Sequence, residues 1–519
     1  MMIEKSMLIA TLSLMVLSFV LSRFLSVISL IRWGKLLLNV SFLLGLLSFL
    51  RSLTNSTGCF PFEWSLGFNS FLFDKISILF YLMVSIIGWV IISFSKNYLW
   101  GDSLHKVFIM RLLFTIAVVQ LMVLSGDFIL IFLFWFLSDV GLRSLIGLYQ
   151  NRKYALVAQA KKKKMSILSN IFMIVGFFLL FADKENMNLI KLFDASNKLT
   201  GSNLLFEIAC CSLALSAIIK SANIPFYGWL LGIMETPTPV SALLHAGLLN
   251  AGPFLMIRFY PLIDKATSAQ IILILWGGFS ALFGTLVSYF QPAVKTRLSY
   301  SSVGHMGFSL MLSGLGLYSA ALLHLVGHSF YKAHTFLASG SEIDKQRIIQ
   351  NKNIRLLPMS PPAILLAFIC GIVFYAVFLM LFKKTFFPEI SFLMLGIIIA
   401  ISVSVFISNT IYFARYWRGF VNILGFVVTV FVSFFLLEMA AEYIVPSLTG
   451  GSIHLVKIVS ISILIVLFVI LAIYSIALKW GFIEPIPVWD VYVRNGFYLH
   501  IFWDKLFTNS KLKIHESGK

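Results

Sequence analysis

Charge is what this sequence is short of. Only 12% of its 519 residues are Asp, Glu, Lys or Arg, half of the roughly 25% found in an ordinary soluble domain. With 59% of the chain hydrophobic, a water-soluble fold cannot hide the apolar surface, so the solvent must be a bilayer. Carboxylates are the scarcer sign, 21 against 40 Lys and Arg, for a formal net charge of +19. Nucleic acid is not the partner this excess implies, because Lys and Arg collect in the cytoplasmic loops of membrane proteins and fix orientation. Cysteine is sparse as well. Cys59, Cys210, Cys211 and Cys370 form no Cys-x-x-Cys pair, which argues against a disulfide framework and against a cysteine metal site. Soluble catalytic signatures are missing: the chain has no Gly-x-Ser-x-Gly elbow, no Walker loop and no dinucleotide fingerprint.

What is present is hydrocarbon in repeated lengths. Apolar stretches of roughly 18 to 22 residues recur, the length at which a helix crosses a ~30 Å hydrocarbon layer. A transmembrane β-barrel would instead alternate in segments of about 10 residues. The expected fold is an all-α polytopic membrane protein with no sizeable soluble domain. Helices are predicted near 6–22, 34–50, 72–94, 105–124, 127–150, 165–183, 204–221, 239–257, 269–290, 297–314, 317–339, 361–382, 392–413, 419–441 and 453–479, about 15 crossings. The first, MLIATLSLMVLSFVLS, lacks a small-residue cleavage site and reads as a membrane helix rather than a signal peptide. With the N-terminus outside, the basic segments RKYALVAQAKKKK, VKTR, KQRIIQNKNIR and RYWR and the Lys-bearing C-terminal tail fall inside. Segments 52–71 and 184–203 fall outside, and Lys383 and Lys384 break the pattern.

Ionisable groups within spans are the informative residues, since each costs roughly 2.5–3.5 kcal/mol at the bilayer centre on insertion scales. They are Asp139, Arg143, Lys220, Glu235, His245, His305, His324, His328, Lys332 and His334. Asp139 and Arg143 are four apart and share a helix face. They form either a self-neutralising pair or, with Asp139 freed, a carboxylate tuning a nearby lysine. Lys220 ends an apolar run five residues before Pro225, which breaks or kinks a helix. A broken helix at membrane depth is tolerated where it lines a cavity, and a lysine there can give up a proton; the alternative is a snorkelling lysine. In METPTPVSALLHAG, Pro237 and Pro239 suit the start of a new helix. Glu235 then sits near its positive end, and His245 lies about two turns inside. Imidazole accepts a proton on one nitrogen while releasing one from the other, so His245 is either a relay or a satisfied core histidine. In HLVGHSFYKAHTF, His324, His328 and Lys332 recur every four residues as one polar stripe, with His334 off it. Three protonatable groups in line make a wire; a metal site, haem ligation or a purely structural stripe are the alternatives.

Several of these segments carry a resemblance. KSANIPFYGWLLGIMETPTPVSALLHAG, RLSYSSVGHMGF, HLVGHSFYKAHTFLASGS and FLFDKISILFYLMVSIIGWVIISFSKNYLWGD, spread over roughly residues 65 to 345, resemble the proton-translocating, antiporter-like membrane subunits. That superfamily includes the largest such subunit of respiratory complex I and the Mrp cation/proton antiporters. Within it, METPTPVSALLHAGLLNAGPFLMIR, HSFYKAHTFLASGS and the closing RNGFYLHIFWDKL are most similar to the DabB branch, the membrane subunits of inorganic-carbon accumulation complexes. The complex I subunit carries a long lateral helix after its core; the residues after 479 are too few for that helix plus another crossing.

The resemblance implies two inverted five-helix repeats with broken helices, over 105–260 and 261–415, between N-terminal helices at 1–104 and C-terminal helices with a short cytoplasmic tail at 416–519. It matches Lys220 to the lysine of the first broken helix, His245 to the relay histidine of the next span, and His324, His328 and Lys332 to the central relay helix. Asp139, Glu235, His305 and His334 join them as relay candidates. Lys383, in LFKKTFF, is the candidate for the second broken-helix lysine. One departure is visible: Ser138 stands where complex I subunits place a glutamate, with Asp139 one residue on, which turns the carboxylate by about 100°. The implied function is conduction of H+ or Na+, energising one-way hydration of CO2 to bicarbonate. This chain is expected to be no enzyme and to hold no cofactor. Zinc would belong to a large cytoplasmic-side partner, DabA, resembling a β-carbonic anhydrase. The implied place is the bacterial inner membrane, N-terminus outside and C-terminus cytoplasmic. The alternatives are a proton-translocating subunit of an NADH dehydrogenase or Mrp assembly, and a scaffold that conducts nothing.

Overall fold

The computed structural model describes residues 2–54, 61–63, 70–181, 188–197, 204–340, 417–446, 455–479 and 487–499, with 373 and 501 as single positions. A short antiparallel ribbon, β1 Pro61–Glu63 and β2 Ser70–Leu72, is the only sheet among the described residues. The rest is built from α1 Met2–Phe19, α2 Val27–Thr54, α3 Lys75–Tyr98, α4 His105–Leu124, α5 Phe128–Ile146, α6 Lys153–Phe181 and α7 Leu189–Asn197. Then come α8 Leu204–Lys220, α9 Gly228–Leu231, α10 Thr238–Ala246, α11 Ala251–Arg258 and α12 Tyr260–Ile263. The chain continues through α13 Thr267–Phe290, α14 Val294–Gly314, α15 Tyr318–Leu337, α16 Trp417–Ile444, α17 Leu455–Lys479 and α18 Pro487–Arg494.

Among the described residues, seven helices are long and apolar enough to cross a membrane: α2, α3, α4, α5, α6, the α10–α11 stretch Thr238–Arg258, and α13. Helices also stand at the predicted positions of α1, α8, α14, α15, α16 and α17. The predicted spans 361–382 and 392–413 lie outside the described residues.

Two boundaries differ from expectation for physical reasons. α6 begins at Lys153 rather than near 165, so the KKKK tract is helix and not loop. Lys, Ala, Gln and Leu are good helix formers, and the buried positions Ala155, Ala158, Lys162, Met165 and Ser169 recur at helical spacing. The predicted continuous span 239–257 is two helices, α10 and α11, with a break at Gly247.

Contacts between helix ends sort into two layers. In one, Asp74 and Asp127 cap α3 and α5 by accepting from Ser77 N (2.9 Å) and Leu130 N (3.0 Å). There also Arg258 pairs with Asp74 at 2.5 Å, and Glu207 accepts from Thr267 N and Ser268 N at the start of α13. In the other layer, Tyr149 donates to Asp102, Arg152 donates to the Glu235 carbonyl, and Gln291 donates to the Arg494 carbonyl. Tyr149 holds the Asp102 carboxyl below its ordinary value of 3.8, while burial and the carboxylate push the phenol up to about 12.

The tightest helix pair is backbone against backbone. A Cβ on Gly284 of α13 would lie 2.3 Å from Gly304 N of α14, and one on Gly277 would lie 2.6 Å from the Gly307 carbonyl. In lipid, such small-residue seams let helices associate by van der Waals contact, with no hydrophobic force between them.

Candidate ion relay

Three helices bring three charges together. Asp139 of α5 meets Lys162 of α6 at 3.1 Å through Oδ1 and Lys220 of α8 at 2.9 Å through Oδ2. All three side chains are 2% exposed. Lys220 Nζ also donates to the Trp135 carbonyl and to Ser138 Oγ, both at 3.1 Å. Each ammonium lies over an indole, Lys220 4.4 Å from the Trp135 ring centre and Lys162 4.5 Å from that of Trp229. One carboxylate thus serves two buried ammonium groups.

The geometry corrects one expectation and completes another. Asp139 does not form an ion pair with Arg143; the Arg143 Nε–H donates to the Asp139 backbone carbonyl at 3.3 Å. The reason is tertiary, because lysines from α6 and α8 occupy both carboxylate oxygens. The displacement of the acid from position 138 to 139 does not uncouple it from Lys220, since the Ser138 hydroxyl and the Asp139 carboxylate both reach that ammonium. Lys162 is the functional candidate that sequence reasoning missed. Its signal was the helical spacing of buried positions in α6, hidden by the three lysines around it.

The chain breaks immediately after Lys220. Asn223 N donates to the Ile218 carbonyl and Ala222 N to the Ile219 carbonyl, both at 3.2 Å, with Ala222 at φ +55°. This is a Schellman ending with alanine in the left-handed position that glycine usually takes. α11 crosses close to it: a Cβ on Gly252 would stand 2.0 Å from Ser221 Oγ and 2.3 Å from the Ala217 carbonyl. Gly252→Ala is therefore expected to destabilise the protein by about 1–3 kcal/mol through overpacking and to shift Lys220 off Asp139. Thermal unfolding in lipid nanodiscs checks it; an unchanged midpoint would show that the crossing can relax.

Past the break, Pro237 is the N-cap residue of α10 and Pro239 lies in its first turn, as the prolines suggested. His245 is near the far end of that helix, ahead of the interruption at Gly247. Its Nε2 is 3.5 Å from Ser299 Oγ, its ring stacks on Phe336 at 4.2 Å, and its buried Nδ1 has no hydrogen bond. The Lys332 ammonium, fully buried on α15, donates to the carbonyl of Leu298, the residue before Ser299, at 3.0 Å. α10, α14 and α15 therefore bring His245 and Lys332 to adjacent positions of α14.

The row continues along α15. His305 of α14 lies 4.9 Å from His328 and 5.2 Å from His324, ring centre to ring centre, and His324 and His328 are 6.1 Å apart. Both ring nitrogens of His328 and Nε2 of His324 are buried without a hydrogen bond.

Two candidates stand apart. Glu235 is half-buried in the inter-helix segment, where its backbone carbonyl binds Arg152. His334 is exposed in a lateral groove with Ile86, Val90 and Phe330, off the α15 stripe. Lys383 lies outside the described residues. Among the described residues, no group of three or more His, Cys, Asp or Glu side chains is placed to hold a metal ion.

Comparison with known proteins agrees with this architecture. The family model for the transmembrane part of NADH:quinone oxidoreductase and Mrp antiporters matches residues 125–414. That for the N-terminus of chain 5 of NADH-ubiquinone oxidoreductase (complex I) matches residues 63–109. The probable inorganic carbon transporter subunit DabB of Hydrogenovibrio crunogenus is 34% identical over 272 residues, 52% of each chain. The corresponding DabB2 of Halothiobacillus neapolitanus is 34% identical over 322 residues, 61% of this chain and 58% of its own. NADH-quinone oxidoreductase subunit L of Mycobacterium tuberculosis is 32% identical over 280 residues, 52% of this chain and 43% of its own. The chain thus spans about half the length of the curated relatives it matches. In fold it is similar to a chain of the archaeal membrane-bound sulfane sulfur reductase (TM-score 0.58, 15% identity, covering 95% of this chain and 97% of that one). It is equally similar to a chain of the Mrp complex from Dietzia (TM-score 0.58, 17% identity, covering 99% and 58%). With its helical bundle, its broken helices and a family match covering more than half of its length, the chain belongs to the NADH:quinone oxidoreductase/Mrp antiporter transmembrane family.

Proposed function

We propose that this chain is the cation-conducting, energy-coupling membrane subunit of an inorganic-carbon accumulation complex. The observation that carries the reading is the file of titratable groups in a bundle built largely of apolar helices: the buried Lys162–Asp139–Lys220 trio on one side, and on the other the buried His245, Lys332 and His328 with the half-buried His305 and His324. The names of the DabB relatives supply the carbon half of the proposal.

In this mechanism H+ or Na+ enters from outside and travels through the file. The arriving charge at Lys332 and His245 alters the field at Lys220 and Asp139, and Asp139 then shares itself differently between Lys220 and Lys162. The chain performs no hydration chemistry. A zinc-binding, carbonic-anhydrase-like partner on the cytoplasmic side hydrates CO2, and the altered charge state biases that partner toward bicarbonate. The two broken-helix units, at 105–260 and 261–415, are the inverted repeats of about 15 crossings in all. The host membrane is the bacterial inner membrane, with the Tyr149–Asp102 layer cytoplasmic.

Growth of a carbonic-anhydrase-deficient bacterium in ambient air tests this. Co-expression of the chain with its zinc partner is expected to restore growth, an uncoupler to abolish it, and Lys220→Ala to prevent it. Lack of rescue, or rescue indifferent to Lys220→Ala, would move the assignment to the second reading, a proton-translocating subunit of an NADH dehydrogenase or Mrp assembly. That reading draws on the 32% identity to NADH-quinone oxidoreductase subunit L.

A further inference from the structure

We propose that the seam between α5 and α6 is a hydrated passage, running from the Asp139 trio to an aromatic lid made by Phe128 and Phe177. It would carry water and protons, and it is separate from the histidine row. Its use for conduction rests on the function proposed above; its existence rests on the geometry alone.

The two helices are fixed to each other at both ends of this stretch. At one end Lys162 of α6 meets Asp139 of α5 at 3.1 Å. At the other the rings of Phe177 of α6 and Phe128 of α5 meet at 4.6 Å. At 1.5 Å per residue these contacts are roughly 16–22 Å apart. On α6, Ser166, Asn170 and Phe177 are rotated about 40°, 80° and 60° from Lys162, and on α5 Trp135 and Phe128 lie within about 40° of Asp139. The residues therefore share the two facing sides of the seam.

Three polar atoms between the fixed ends have no partner. Trp135 Nε1, Ser166 Oγ and Asn170 Oδ1 are buried and make no hydrogen bond, and their residues are 1%, 4% and 8% exposed. One is a donor, one an acceptor and one either, the set that a short file of water satisfies. Keeping all three dry is costly.

Structural packing of polar residues looks different, and α6 shows it where it meets α8. Ser169 faces Ser216 of α8, with hydroxyls 3.1 Å apart and each bonded to the other's helix carbonyl at 3.0 and 2.9 Å. Nothing there is left unsatisfied. Ser166 and Asn170, rotated about 60° and 100° from Ser169 around the helix, have no such closure. The passage ends at Phe177, which is fully buried and also meets Phe259 at 5.6 Å and Phe181 at 6.4 Å. A rotation of Phe177 would join the seam to the layer that holds Asp127.

Thiol labelling in vesicles tests the passage without requiring transport. Ser166→Cys and Asn170→Cys are introduced singly into the full chain. A membrane-impermeant methanethiosulfonate is then applied to each face, with the unsubstituted chain and its own four cysteines as baseline. With Phe177 present, labelling is expected to stay near baseline from the face at the Phe181 end of α6. Adding Phe177→Ala, or Phe128→Ala should that variant fold better, is expected to raise labelling of Asn170→Cys from that face at least tenfold. No rise in either lid variant, or labelling only from the face at the Lys153 end, would overturn the passage. If labelling behaves as expected but the growth rescue fails, the passage stands and the carbon-accumulation reading falls.

Discussion

Asp139→Asn is expected to lower stability by about 3–5 kcal/mol, the usual effect of removing one partner from a buried ion pair, and to reduce cation flux to background. The substitution is nearly isosteric, so no cavity accounts for the loss. What changes is charge: two ammonium groups, previously 3.1 and 2.9 Å from one carboxylate, would face each other across a neutral amide. Both are 2% exposed, so water cannot screen them, and like charges at that range repel strongly in a low-dielectric interior. The indoles of Trp135 and Trp229 soften this but do not neutralise it. A second substitution separates stability from function. Asp139→Asn with Lys162→Met removes one of the stranded cations and is expected to recover most of the melting temperature in nanodiscs, while flux measured with a pH-sensitive dye in vesicles stays absent. If Asp139→Asn alone melts with the unsubstituted chain, one of the two lysines is neutral at rest, and the trio does not work as a shared ion pair.

Much of this arrangement is visible in the residues, because membrane folding converts composition into geometry directly. The predicted span at 105–124 coincides with α4 His105–Leu124 because its ends are where apolar side chains stop. The break after Lys220 and the start of α10 are legible because proline acts locally. The α15 row is legible because a four-residue spacing fixes a helix face. What escaped is what depends on neighbours distant in sequence. Arg143 is the nearest partner for Asp139 along α5, yet lysines 23 and 81 positions away take both oxygens, and helical spacing cannot register them. Lys162 escaped for a related reason, since a run of four lysines reads as a solvated loop until α6 turns one of them inward. The interruption at Gly247 had a signal that the span reading passed over, Pro253 in the first turn of α11.

Lys332→Met is expected to have the opposite signature to Asp139→Asn: it should abolish flux yet stabilise the protein, by about 1–3 kcal/mol. The Lys332 ammonium is fully buried and bonds the Leu298 carbonyl at 3.0 Å, and among the described residues no carboxylate touches it. Whichever way it is protonated at rest, the site places a strongly hydrated headgroup where water is excluded, and that penalty is what methionine removes at nearly constant volume. The carbonyl left behind still accepts from Ser302 Oγ at 3.1 Å, so no new unsatisfied group appears. A residue that lowers stability and persists at a central position is there for what it does. Here that is to carry a charge to within reach of His245 and His328. The check is a paired measurement on the same preparation, thermal unfolding in nanodiscs and dye-reported flux in vesicles. A variant that melts lower than the unsubstituted chain would mean that Lys332 is held by stabilising partners and is a structural anchor. A variant that melts higher yet still conducts would take Lys332 out of the conducting file and leave the histidines to span the gap alone.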